Sequence, residues 1–146
     1  MPKSATSAYL DTSAFVKLVI DEAESAALES ELQSLPDRYS AAILTTEVIR
    51  ALRRTGRGQH VGRARELLET TGLIAVDRTL LERAASVDPP ILRSFDAIHL
   101  AAALAIGEDL GAFVTYDVRL AAAARANDLK VISPGADPPQ SDDRLS

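Results

Sequence analysis

The sequence predicts one α/β domain with a mainly parallel central sheet of about five strands flanked by helices. Three observations predict it. Short apolar runs alternate with longer stretches of helical spacing up to about residue 133, and parallel strands need such crossovers. The chain has 146 residues, enough for one domain with a sizeable core. Its 47% hydrophobic and 25% charged content is ordinary for a folded protein. No apolar run approaches a membrane span, no signal-peptide pattern follows the start, and the absence of Cys removes disulfide and thiolate chemistry. A cytoplasmic protein without a membrane partner is the expectation.

The elements follow in order. Residues 1–7 are small and polar and are expected to fray. Ala8, Tyr9 and Leu10 form a first strand. Helical spacing starts straight after Asp11, with Phe15, Leu18 and Val19 at i, i+3 and i+4. A second helix with an acidic face is expected over 22–34, broken by Pro36-Asp37, and a second strand over 39–44. Thr45 or Thr46 caps the next helix, whose apolar stripe is Val48, Ile49 and Leu52. A basic helix over 59–71 then ends on Gly72 as a C-cap glycine.

The third strand is placed at 73–76, and Asp77 caps a helix over 78–87. Asp88-Pro89-Pro90 is a break, and 95–106 reads as a buried, Ala-rich helix carrying Asp96 in its first turn. A fourth strand at 112–115, a helix capped by Asp117 and a fifth strand at 129–132 complete the domain, taken as residues 1–133. Residues 134–146 are Pro-rich and acidic and read as a disordered tail.

The formal net charge of −5 argues against a general nucleic-acid binder. Its distribution is uneven, however. Arg50, Arg53, Arg54, Arg57, Arg63 and Arg65 crowd one region, which is either a local basic surface or a solvated helical face.

Several acids stand where chemistry is done in parallel sheets, at the carboxyl ends of strands. Asp11, Asp77 and Asp117 follow apolar strands, and Asp96 and Glu47 open helices. Each has a structural explanation as a cap or a first-turn acid. Asp96 and Asp117 nevertheless sit in strongly apolar segments, where a charge needs a partner. Two carboxylates about 4 Å apart repel by roughly 4 kcal/mol at an effective dielectric of 20. A cation relieves that repulsion, and oxygen-only ligands favour Mg²⁺ or Mn²⁺ over zinc.

Four stretches occur in a telling order: Leu10-Asp11-Thr12-Ser13, Thr45-Thr46-Glu47-Val48-Ile49-Arg50-Ala51-Leu52, Phe95-Asp96-Ala97-Ile98-His99-Leu100-Ala101 and Val114-Thr115-Tyr116-Asp117-Val118-Arg119-Leu120. Together they resemble the four acidic motifs of PIN-domain ribonucleases, specifically the VapC-like toxins of type II toxin–antitoxin pairs. The resemblance spans about residues 8–133. It implies a PIN-like fold and an acidic quartet of Asp11, Glu47, Asp96 and Asp117 that is both catalytic and metal-binding. Ser13 and Thr115 match polar residues that support the acids or contact phosphate, and Asp77 matches no ligand and stays a cap.

The resemblance further implies an endoribonuclease using Mg²⁺, with Mn²⁺ as a substitute, that cleaves RNA by a metal-activated water. It also implies a cognate antitoxin, to be received in apolar grooves around the first two helices, and a homodimer. Lys17 and the Arg50 to Arg65 region are the expected phosphate-attracting groups.

The competing reading is a phosphoacceptor receiver switch using Asp77, Thr115 and Lys130. It lacks the acidic pair expected after strand one, its lysine precedes strand five, and it leaves Glu47 and Asp96 unexplained. An aspartate-nucleophile phosphatase would need Asp at position 13, which is Ser. Gly56-Arg57-Gly58 lies between helices and makes no dinucleotide fingerprint. His60 and His99 form no zinc motif, and His99 reads as a structural residue giving polar support to the site.

Overall fold

Five parallel strands form one sheet: β1 (Ser7–Leu10), β2 (Asp37–Ala41), β3 (Gly72–Ile74), β4 (Leu110–Val114) and β5 (Val131–Ile132), in the order β3-β2-β1-β4-β5. The structure, a computed structural model, describes residues 5–136. Strands are added to one side of β1 and then to the other, so a crevice opens where the carboxyl ends of β1 and β4 diverge. Asp11 and Asp117 stand at the two lips of that crevice.

Helices cover both faces. α1 (Thr12–Val19), α2 (Ser25–Leu32), α3 (Leu44–Arg54) and α4 (Val61–Glu69) pack one core with Ala8, Leu10 and Val114. α5 (Arg78–Ser86), α6 (Ser94–Ile106) and α7 (Val118–Ala126) pack the other with Tyr9, Ala41 and Phe113. The period of two along a strand sends Tyr9 to one side and its neighbours Ala8 and Leu10 to the other. That alternation later decides which helix Tyr9 meets.

Several boundaries differ from the sequence reading, each for a local reason. β2 stops at Ala41, and the apolar run continues into α3, where Leu44 is wholly buried as its first residue. Thr45 and Thr46 therefore lie inside the helix, and Ile43 precedes it without a side-chain cap. α2 is shorter than expected because Ser25 ties the bend before it. Its hydroxyl donates to the Lys17 and Ile20 carbonyls and accepts from the Glu22 amide.

The basic segment splits into a single turn at Gly58–His60 followed by α4. Gly72 opens β3 instead of capping α4. It is needed there because the Tyr39 ring lies over it, and an added Cβ would come within 2.6 Å of a ring carbon. Ser7, expected to fray, is nearly buried in β1. Within the expected tail, the Pro134 carbonyl accepts from the Tyr116 hydroxyl at 2.7 Å; residues 137–146 lie outside the described residues. Among the described residues, no helix is long and apolar enough to cross a membrane.

Candidate active site

Asp11 is placed by its own turn. Its carboxylate caps α1, accepting from the Ala14 amide at 2.9 Å and the Ser13 hydroxyl at 2.7 Å through Oδ1. Oδ2 accepts from the Thr115 hydroxyl at 2.5 Å, so the ends of β1 and β4 are bonded across the crevice. The same Thr115 oxygen accepts from the Asp117 amide at 3.0 Å, and Ser13 Oγ accepts from the Tyr116 amide at 2.9 Å. Only 3% of Asp11 is exposed. Burial raises its carboxyl above the ordinary Asp range, while the bonds from Thr115, Ser13 and Ala14 oppose the shift.

The other three acids arrive on different elements. Asp117 caps α7, with Oδ1 accepting from the Arg119 and Leu120 amides at 2.9 and 3.0 Å. Glu47, in the first turn of α3, accepts at Oε1 from the Thr12 hydroxyl at 2.9 Å and pairs with His99 Nε2 at 2.6 Å. Asp96 opens α6 and is half-buried, and among the described residues nothing donates to it. Desolvation raises its carboxyl most, the charge of Asp117 next, and the charges of Asp11 and Glu47 add to the shift while His99 opposes it. The four acids thus share one field.

Two expectations and the competing reading need amendment, while Asp77 keeps its expected role as a cap. Lys17 is no free phosphate ligand: it pairs with Glu24 at 2.9 Å and Glu22 at 3.8 Å, and its ammonium lies 4.7 Å from the Tyr116 ring centre. Asp77 caps α5 through the Leu80 amide. It follows β3, an edge strand, whereas a receiver-type order places strand three beside strand one, so the switch reading fails on topology. Finally, the large exposed apolar side chains among the described residues are Leu73, Leu81, Ile91, Phe95 and Val118, none of them on α1 or α2.

Sequence reasoning passed over Thr12 and Tyr9, both tied to Glu47 directly or through His99. A tyrosine inside an apolar strand was the available signal, because a buried phenol needs a hydrogen-bond partner.

A model of the PIN domain family matches residues 8–133, so the fold is that of a PIN domain. Ribonuclease VapC46 of Mycobacterium tuberculosis is 42% identical over 127 residues, covering 86% of this chain and 96% of that protein. Ribonuclease VapC47 of the same species is 39% identical over 132 residues, with 88% and 97% covered. The chain belongs to the VapC family of PIN-domain ribonuclease toxins.

Solved structures agree in fold. VapC20 of M. tuberculosis, described as a sarcin-ricin loop cleaving toxin, superposes with a TM-score of 0.66 at 18% identity, over 80% of this chain and 95% of that one. A toxin–antitoxin complex from Klebsiella pneumoniae gives 0.66 at 23% identity, over 88% and 98%.

The donor set fits a hard divalent cation. It is all oxygen; Asp96 is unpartnered, and Asp117 Oδ2 and Glu47 Oε2 also lack partners among the described residues. As placed, no group of three Asp, Glu, His or Cys side chains among the described residues is arranged to hold a metal ion by itself. Mg²⁺ does not need one, since it commonly keeps several waters and takes one or two carboxylates plus substrate phosphate.

One consequence is measurable without substrate. Asp11 and Asp96 titrate above their ordinary values in the folded chain. Between the ordinary and the raised value the folded protein binds more protons than the unfolded one, so metal-free stability falls as pH rises through that window. Asp96→Asn is expected to raise the melting temperature at neutral pH and to flatten this decline. Thermal scans across pH in EDTA check it; a variant as pH-sensitive as wild type would refute the assignment.

Proposed function

We propose that this VapC protein is an endoribonuclease that hydrolyses RNA phosphodiester bonds with Mg²⁺, or Mn²⁺ in its place, held by its four acids. The observation that carries the reading is the PIN-domain and VapC match over residues 8–133 together with the placement of Asp11 and Asp117 at the two lips of the sheet's switch point. Asp11, Asp96 and Asp117 are the direct or water-mediated ligands, and Glu47 completes the shell or orients the attacking water. When bound, the cation would supply Lewis acidity at the scissile phosphate and acidify a water. The chain's own residues do the rest. Ser13 and Thr115 orient Asp11 and favour its charged form against its burial, and Asp117 is fixed by the amides at the start of α7.

RNA must be attracted despite the acids. Arg50, Arg53 and Arg54 line a concavity of about 320 Å³ on α3, and none is ion-paired among the described residues. Arg50 and Arg54 continue the helix face that carries Glu47, at spacings of three and four. Mutating either to Ala is expected to weaken binding of labelled single-stranded RNA and to lower its log–log salt slope by about 0.7. Anisotropy in an Asp11→Asn background, which prevents turnover, measures this; an unchanged slope would remove that arginine from the contact surface.

The Klebsiella pneumoniae neighbour in fold is a toxin–antitoxin complex, and an antitoxin partner is assigned to this chain in keeping with it; the homodimeric state is proposed only from the resemblance of the acidic motifs to VapC-like toxins. Exposed Ile91 and Val118 line a cleft of about 870 Å³ together with Asp96 and Asp117, so a partner seated there would cover the acids as well. Cleavage of structured RNAs by purified protein, with Mg²⁺ and with EDTA, tests the function. Activity is expected only with the metal, and EDTA-insensitive cleavage would reject the reading.

A further inference from the structure

A buried line of side chains runs from the core to the acidic edge. Tyr9 in β1 is 0% exposed and His99 in α6 is 1% exposed. The Tyr9 hydroxyl lies 2.7 Å from His99 Nδ1, and His99 Nε2 lies 2.6 Å from Glu47 Oε1. Phe and Leu would fill the same space without burying polar atoms, which cost stability unless bonded. The shape of the core therefore does not require these two residues.

What they touch explains them. A carboxylate only accepts, so Nε2 carries a proton. In the neutral ring Nδ1 is then an acceptor, and the Tyr9 hydroxyl donates to it; this tautomer follows from the network of partners. Tyr9 is itself clamped, stacked on Phe113 with ring centres 5.3 Å apart at 3° and edge-on to His99 at 5.8 Å and 78°. Glu47 has no such internal restraint: it is a long, flexible side chain on a partly exposed helix turn, and His99 and Thr12 together pin its Oε1.

We propose that His99, set by Tyr9, is a positioning residue that fixes Glu47 Oε1 and thereby leaves Oε2 as the atom that acts on water or cation. This rests on the nuclease reading. Asp11 and Asp117 are placed by capping their own helices, whereas Glu47 is placed from the opposite core, through α6. The arrangement has the form of an outer partner orienting a ligand, whose loss commonly costs about 10–100-fold in metal affinity or activity.

Three variants test it: His99→Gln, whose amide can still donate to Glu47, His99→Leu, which cannot, and Tyr9→Phe, which deletes one oxygen. His99→Leu is expected to lower kcat by about 10–100-fold with KM unchanged. His99→Gln is expected to recover most of that loss even where both variants melt at the same temperature. Nitrogen NMR of the wild-type imidazole should show the Nε2–H tautomer, and Tyr9→Phe should mix the two tautomers. If His99→Leu fails to fold, Tyr9→Phe still reports, through a lowered kcat at near-wild-type stability. Equal losses in His99→Gln and His99→Leu that track melting temperature would reduce His99 to a core residue, as would wild-type kcat in Tyr9→Phe with an unmixed tautomer. Wild-type protein that cleaves no RNA while showing the Nε2–H form would overturn the nuclease reading itself.

Discussion

Asp11→Asn is expected to lower RNA cleavage by about 10³-fold or more while leaving the protein at least as stable as wild type. Metal-ion catalysis is worth several kcal/mol of transition-state charge stabilisation, and each 1.4 kcal/mol is about tenfold in rate. The substitution removes the most buried of the four acids and with it the shared ligand charge. It should not unfold the chain. Asn keeps an oxygen for the Ala14 amide and the Ser13 hydroxyl, and the Thr115 hydroxyl can turn to accept from the new amide nitrogen. Because burial disfavours the charged form of Asp11, deleting that charge relieves a strain on the metal-free protein. Cleavage rate and melting temperature measured side by side separate the two effects; parallel loss of both would mean that Asp11 serves the fold alone.

Thr115→Val is the second large effect, and it should strike both properties. The hydroxyl donates to buried Asp11 Oδ2 and accepts from the Asp117 amide, so it joins two of the acids through one atom. Valine has nearly the same shape but leaves a buried carboxylate oxygen and a backbone amide without that partner. Hydrogen bonds to charged groups contribute about 1.5–3 kcal/mol, and an orphaned buried group costs about 1–3 kcal/mol. A loss of roughly 2–4 kcal/mol in unfolding free energy is expected on this basis, with cleavage reduced by about 10–100-fold. Thr115→Ser retains the hydroxyl and should restore most of both. Urea titration and single-turnover cleavage check the pair; a serine variant as damaged as the valine variant would show that the methyl, not the hydroxyl, is what matters.

Much of this architecture was legible because alternation of apolar runs with helical spacing constrains topology strongly. The strand before Asp11, the break at Asp88-Pro89-Pro90 and the caps at Asp11, Asp77 and Asp117 all rest on local chemistry that one segment carries by itself. What eluded local reading was set by distant partners. Gly72 looked like a helix terminator until Tyr39, from the neighbouring strand, was seen to occupy the space of its Cβ. The apolar run from Ala41 to Leu44 could not reveal that it changes from strand to helix midway.

The site shows the same division. The acids could be picked out by their place after strands and by motif order. The Tyr9–His99–Glu47 line joins residues 90 and 52 positions apart, and no periodicity within one element announces it. Lys17 erred in the other direction. It was expected to attract phosphate, but Glu22 and Glu24 fold back onto it after the bend held by Ser25.

Asp11, Glu47, Asp96 and Asp117 are proposed to hold one cation site between them. Anomalous scattering from crystals of the wild-type protein grown with Mn²⁺ tests it most directly. A manganese peak is expected at the crevice between the ends of β1 and β4, within coordination distance of at least one of these carboxylates and absent from Asp11→Asn crystals. An RNA-cleaving protein whose crystals show no such peak, or whose peak lies elsewhere and survives Asp11→Asn, would contradict it.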